Sequence, residues 1–156
     1  MLFLLTLLWL LQDFIQVFVM GIFLVPDIFL LSLILLVVLR QEHKDRQIIL
    51  IWIAFFGGLF WDFRWTNLPG LTAAFNGGAV AAVAYFWYKA PVQGRTTILF
   101  AFYAVMAQAL SGVLHYVFWN VESQVAIRQF LVQQLMSVPV LVILCLIFWR
   151  SSNSHV

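Results

Sequence analysis

An acidic and a basic side chain, Asp62 and Arg64, stand in the segment FFGGLFWDFRWTNLPGLTAAFNGG, residues 55–78, between two stretches apolar enough for lipid. Charged side chains at such positions are costly, so they mark a candidate functional site. Residues two apart on a helix do not face each other, so these two charges need a turn to pair, or separate partners. Two roles stay open for Asp62: contact with a partner or ligand, and capping of backbone amides at the start of the following helix or the WTNLPG turn.

Other polar side chains lie in or beside the later apolar segments: Asn76, Gln108, His115, Gln133 and Gln134. Amide side chains in membranes commonly hold helices together, and this role is favoured over substrate contact. No second histidine or cysteine stands at metal-ligand spacing from His115, so neither a metal site nor a cofactor is expected. Without a nucleophile elbow, a phosphate loop or a Ser/His/Asp arrangement, the sequence does not predict an enzyme.

The composition predicts an all-α integral membrane protein. Of its 156 residues, 65% are hydrophobic and 9% charged, and the mean hydropathy is +1.04. Soluble domains carry about 25% charged residues. The net charge of +2 is too small and too scattered for nucleic-acid binding. Residues 1–156 therefore form a single transmembrane domain, and no soluble domain is expected.

Six segments are predicted to span the membrane, because each approaches the ~20 apolar residues that a spanning helix needs. They cover residues 2–20, 24–39, 48–62, 70–88, 97–118 and 129–149. The second and third are short, which leaves a five-span or re-entrant arrangement open. Pro26 is predicted in the first turn of the second helix, with Asp27 beside its positive end. Pro139 lies inside the sixth helix.

The distribution of basic residues predicts that both termini are cytoplasmic. Six basic residues share a side with the termini: Arg40, Lys44, Arg46, Lys89, Arg95 and Arg150. Two, Arg64 and Arg128, fall on the other side. Positive charges concentrate on the cytoplasmic side of membrane proteins, so this arrangement places the turn after Asp62 outside.

Small residues at four-residue spacing predict close helix packing, because they let two backbones approach. The fourth segment carries two such rows, and the third carries a glycine pair: Ala73, Gly77, Ala81; Ala74, Gly78, Ala82; and Gly57, Gly58. Packing within the bundle is favoured, and a docking face for another protein's helix or a second copy is the alternative. The fourth helix is expected to be central and the first to face lipid. A leucine at Gly77 or Gly78 should disturb folding or partner binding.

Three stretches give the chain a resemblance to the rod shape-determining protein MreD family: VPDIFLLSLILLVVL at 25–39, GGLFWDFRWTNLPGLTAAFNGGAVAAVAY at 57–85 and QQLMSVPVLVILCLIFW at 133–149. The Pro26–Asp27 opening and the order Gly58, Asp62, Gly70 are most similar to that family. The chain departs from it in the Trp- and Arg-rich turn after Asp62, where small residues are expected. It also has Ser137 where an Asn is expected.

The resemblance implies a non-catalytic component of the cell-elongation complex in the bacterial inner membrane. Such a protein would bind the bitopic scaffold protein MreC and help to organise peptidoglycan synthesis and cell shape. It would work beside RodA, a class B penicillin-binding protein and the MreB filament. The resemblance also implies a six-helix arrangement similar to that of the substrate-binding subunits of energy-coupling-factor transporters.

That last similarity supplies the alternative, a small-molecule-binding subunit of a vitamin-type transporter. Asp62, Arg64 and Asn76 lie toward one membrane face, together with aromatic residues. The aromatics are Trp61, Trp65 and Trp119. Polar and aromatic side chains of this kind could line a pocket open to the outside.

Overall fold

A computed structural model describes residues 2–19, 25–40, 44–65, 68–118 and 123–153, and within them the chain is helical with no strand. Six α-helices follow one another: α1 Leu2–Phe18, α2 Ile28–Leu39, α3 Lys44–Trp65, α4 Leu71–Lys89, α5 Thr97–Phe118 and α6 Ser123–Asn153. A short 3-10 turn, Val92–Gly94, lies between α4 and α5. The prediction of an all-helical chain is confirmed.

Apolar character and length divide most of these helices into two groups. Among the described residues, α3, α5 and α6 are long and apolar enough to cross a membrane, α1 and α2 are apolar but shorter, and α4 falls in neither group. The 12 residues of α2 extend about 18 Å, against a hydrocarbon core of ~30 Å. Large apolar side chains remain exposed, including Phe3 at 81% and Ile98 at 82%, which suits contact with lipid rather than water.

The shortest helix, α2, forms the centre of the bundle and contacts each of the five other helices. Leu30, Leu31, Leu33, Ile34 and Val37 are fully buried. α2, and not α4 as predicted, is therefore the helix that the others surround, whereas α4 makes the most extensive single contact, with α3. A helix surrounded on all sides must be apolar all round, and α2 meets that condition with Ser32 as its one polar residue.

The most extensive helix contact joins α3 to α4, and Gly58 permits it. A Cβ atom built on Gly58 would stand 2.7 Å from the Ala73 Cα and N and from the Thr72 carbonyl oxygen. The two backbones therefore touch directly, with no side chain between them. Gly57 is tight as well, because a Cβ there would overlap the Phe29 ring of α2.

The two ends of the bundle have different interiors. At the end where α4 and α6 finish and α5 begins, Trp87, Phe148 and Phe100 are packed together, with ring centroids 5.7 Å and 5.0 Å apart in that order. At the opposite end the interior is polar and includes buried Asp27, Asp62, Asn76, Gln108 and Gln133. Buried polar groups need hydrogen-bond partners.

Candidate functional site

The polar end is built around the start of α2, where the chain is non-helical at residues 25–27. Each backbone N–H there has an acceptor. Val25 donates to Gln16 Oε1 at 2.8 Å, Asp27 to Gln108 Oε1 at 3.1 Å and Phe29 to Gln12 Oε1 at 2.9 Å. Non-helical backbone at membrane depth is tolerated only when protein groups satisfy it in this way.

Asp27 and Pro26, which belong to the segment itself, account for the other backbone groups at the start of α2. Asp27 is the N-cap of α2 and accepts from the Leu30 N–H at 2.9 Å, and Pro26 has no N–H to satisfy. The Pro26 carbonyl accepts from the Ile28 N–H at 2.8 Å. Asp27 therefore lies at the positive end of α2 as predicted. The placement of Pro26 in the first helical turn was wrong, because the helix begins after the Asp27 cap.

α1 was predicted to face lipid, but one of its faces is turned into the protein. Gln12, Asp13 and Gln16 on that side are at most 5% exposed. Gln12 and Gln16 are four residues apart, so they lie on one face of α1 and reach neighbouring N–H groups of the α2 start. Sequence reasoning missed these residues. The available signal was two glutamines and an aspartate close together in the second half of a largely apolar helix, which indicates a face turned toward protein.

Replacing Gln108 tests this polar anchoring. Gln108→Met keeps the length of the side chain but removes the acceptor for the Asp27 N–H, so we expect a loss of about 1–3 kcal/mol of stability. The measurement is the thermal unfolding midpoint of the purified protein in detergent. Gln93→Met, at an exposed position in the 3-10 turn, is the matched control and should leave the midpoint unchanged. Equal midpoints for both variants would show that the Gln108 bond contributes nothing.

Asp62 caps the start of α4. It is fully buried and accepts three backbone N–H groups, from Gly70 at 2.9 Å, Thr72 at 3.1 Å and Ala73 at 3.2 Å. Gly70 is the N-cap residue and has φ = +98°, a left-handed conformation that glycine adopts without strain. The sequence left two roles open for Asp62, and these hydrogen bonds are those of a residue that caps backbone amides.

Arg64 forms its ion pair with α1. Its Nε lies 3.1 Å from Asp13 Oδ1, and the Trp65 indole N–H donates to the same oxygen at 2.7 Å. Asp62 and Arg64, which are two residues apart on α3, thus have separate partners. This was one of the two arrangements that helix geometry allowed. Asp62 points into the bundle, whereas the Arg64 side chain is 53% exposed. They do not form a common site.

Two other polar residues of the described part of this end, His115 and Thr72, border a small cavity. His115 donates from Nδ1 to the Ser111 carbonyl at 2.8 Å, and its Nε2 lies 3.5 Å from Thr72 Oγ1. The cavity bordered by these two side chains measures about 10 Å³, room for about one water molecule. Buried atoms without a partner in the described residues include Asn76 Oδ1, Gln108 Nε2 and Gln133 Oε1.

Two further expectations concern metal ligands and aromatic residues. Among the described residues, no three His, Cys, Asp or Glu side chains come together as a metal-binding group. Trp61 is 7% exposed and packs beside Trp65, with ring centroids 5.9 Å apart. Trp119 lies outside the described residues. Trp61, which was predicted to line an outer pocket, therefore lies in the protein interior.

The two small-residue rows of α4 face in different directions. Ala73 and Gly77 are buried, and a Cβ built on Gly77 would meet Phe55 of α3 at 3.4 Å. Ala81 of this inner row is half-buried. The residues of the other row, Ala74, Gly78 and Ala82, are all exposed. No atom of the described residues lies within 4 Å of a Cβ built on Gly78. Packing inside the bundle accounts for the inner row alone.

The outer row forms the floor of a groove of about 470 Å³ between α4 and α5. Phe102, Met106 and Leu110 of α5 form its wall at four-residue spacing and are 57%, 43% and 49% exposed. We call this surface the α4–α5 groove. Its floor is flat and its wall is large and apolar, the combination that accepts another apolar helix in a membrane.

Comparisons with family models, curated proteins and solved structures found no match to this chain.

Proposed function

We propose that this chain is a non-enzymatic membrane interaction protein whose α4–α5 groove receives a transmembrane helix of a partner. One observation carries the proposal: the row Ala74, Gly78, Ala82 lies exposed on the floor of the groove. It repeats the spacing of the row that packs α4 onto α3. A row of this kind lets a second backbone approach closely, and such approach is a main source of helix association in lipid.

The dimensions of the groove suit a helix. From Ala74 to Ala82 the floor extends about 12 Å, a little over two helical turns. A helix laid along it would bury the exposed faces of Phe102, Met106 and Leu110 on the opposite side. Lipid tails fill an irregular groove less closely than a complementary helix does, so van der Waals contact favours the helix.

The finer proposal is an MreD-like protein of the bacterial inner membrane, with six spans and both termini in the cytoplasm. Its partner is then the single membrane helix of MreC, and RodA, a class B penicillin-binding protein and MreB belong to the larger complex. Sequence motifs support this proposal. The Pro26–Asp27 pair and the Asp62…Gly70 pair each stand at a helix start capped by a carboxylate, which gives both motifs a structural reason.

Site-directed crosslinking in native membranes tests the proposal. A cysteine replaces Ala82 in the groove, in a Cys145→Ala background, and an apolar crosslinker is added before solubilisation. We expect a covalent adduct with a single-span protein, identified by mass spectrometry as MreC-like. A cysteine at Val138 of α6, which is 50% exposed and outside the groove, is the matched control. Adducts of equal yield at both positions would refute docking at the groove.

The same experiment separates a partner helix from a second copy of this chain. An adduct of twice the mass of the chain, with its own peptides on both sides, would assign the groove to a homodimer. Intact rod shape after deletion of the gene would reject the MreD-like role, even if a single-span partner were captured.

The transporter subunit remains the second candidate because Asn76 Oδ1 and Gln108 Nε2 are buried without described partners. The cavity of about 10 Å³ beside Thr72 and His115 is far smaller than the ~300 Å³ or more of ligand pockets. Mass spectrometry of denatured, purified protein distinguishes the two functions. A retained small organic molecule other than lipid would favour the transporter subunit.

A further inference from the structure

A second groove of about 470 Å³ lies between α1 and α3, on a different face of the molecule. Leu5, Trp9 and Leu10 line it from α1, and Phe56 and Phe60 line it from α3. Leu10, Phe56 and Phe60 are at least 50% exposed. The walls are apolar, so the groove suits a hydrocarbon chain, but this alone does not identify an occupant.

The register of α1 and α3 places a charged group at one end of this groove. Trp9 and Phe60 face each other with ring centroids 6.4 Å apart, and the Trp9 indole donates to the Gly57 carbonyl at 3.1 Å. Asp13 and Arg64 are each four residues further along their helices, and they also face each other. The Asp13–Arg64 pair therefore lies slightly more than one helical turn, about 6 Å, beyond Trp9 and Phe60.

Arg64 is held in a position that leaves part of its guanidinium available. Asp13 occupies Nε, and the Trp65 ring lies 5.6 Å from the guanidinium carbon. The two terminal nitrogens have no partner among the described residues, and the side chain is 53% exposed. A guanidinium offers two parallel N–H donors at that edge, which match the oxygens of a phosphate.

We infer that this surface is a phospholipid site, with the lipid phosphodiester on the Arg64 terminal nitrogens and an acyl chain in the α1–α3 groove. The exposed guanidinium edge of Arg64 at the end of the groove identifies the occupant, because its paired N–H donors match a phosphate and a phosphate and an acyl chain occur together in a phospholipid. Asp13 already balances the charge of Arg64, so the phosphate is recognised by hydrogen-bond geometry and the remainder of the headgroup matters less.

Native mass spectrometry of delipidated protein in detergent tests the site. The probes are phosphatidylethanolamine and a glucosyl diacylglycerol with the same acyl chains but no phosphate. We expect the phospholipid to bind about tenfold more tightly than the glycolipid, and Arg64→Gln to abolish that difference. Arg128→Gln, which removes an exposed arginine of α6, should preserve it.

Leu10→Trp tests the acyl-chain part independently of the ion pair, in case Arg64→Gln disturbs folding. It fills the groove and should weaken binding of both lipids about tenfold. Its matched control is Leu11→Trp, at a residue of α1 that is 49% exposed and outside the groove. Three results would each overturn the inference. They are equal binding of the two lipids by the wild type, an unchanged preference in a folded Arg64→Gln protein, and equal binding by the two tryptophan variants.

Discussion

Asp62→Ala is expected to reduce the stability of the protein more than any other single removal of a polar group, by about 4 kcal/mol. Its carboxylate accepts three backbone N–H groups at the start of α4 and is fully buried. Hydrogen bonds to charged groups contribute roughly 1.5–3 kcal/mol each, and their contributions are not independent. Removing the carboxylate leaves buried donors unsatisfied where water does not reach them, so α4 should lose its first turn.

Thermal unfolding in detergent measures this effect, with Asp62→Asn as the intermediate case. Asparagine keeps one acceptor oxygen but turns an NH₂ group toward backbone donors, so its midpoint should lie between those of alanine and the wild type. Asp45→Asn removes an exposed carboxylate from the first turn of α3, where a negative charge contributes at most about 1 kcal/mol, so it should lower the midpoint far less than Asp62→Ala. A wild-type midpoint for Asp62→Ala would mean that α4 begins without this cap.

Gly58→Ala is expected to cost about 3 kcal/mol, the upper end of the range for overpacking. The added methyl group would lie 2.7 Å from backbone atoms of Ala73 and from the Thr72 carbonyl. A backbone cannot move aside as a side chain can, so α3 and α4 must separate along their largest contact. The expected result is a lower unfolding midpoint and poor recovery of monodisperse protein.

Gly78→Ala is the matched control for Gly58→Ala, because both substitutions add one methyl group to a glycine inside a helix. No described atom lies within 4 Å of a Cβ built on Gly78, and alanine favours helices more than glycine does, by up to about 1 kcal/mol. Its midpoint should equal or exceed that of the wild type. If the two alanine variants unfolded at the same temperature, the direct backbone contact between α3 and α4 would be refuted.

The sequence predicted those features that depend on local chain geometry. Asp27 stands directly before a helix start, so its cap followed from position alone. For Asp62, the cap was one of the two roles that the sequence left open. The existence of the helices followed from the length of the apolar runs in the sequence. The bounds of α3 and α6 were too short, because apolar runs mark the part of a helix within lipid and the polar residues that extend a helix beyond it escape detection.

Features that depend on which helices meet could not be predicted from one sequence. The roles of Gln12 and Gln16 depend on α1 lying beside the start of α2, and the Asp13–Arg64 pair depends on α1 and α3 running side by side. The two rows of α4 are indistinguishable by composition. Their division into an inner and an outer row required knowledge of the face that α3 covers.

The central claim, that the outer row of α4 is a docking surface, is tested most directly by Gly78→Leu. The structure separates this residue from Gly77, which is buried against α3, so Gly78→Leu should leave the thermal unfolding midpoint unchanged. Its side chain would keep a partner helix away from the groove floor, and we expect co-purification of the single-span partner from native membranes to be lost. Val138→Phe, at an exposed position of α6, should preserve it. A stable Gly78→Leu protein that recovers the wild-type amount of partner would contradict the account.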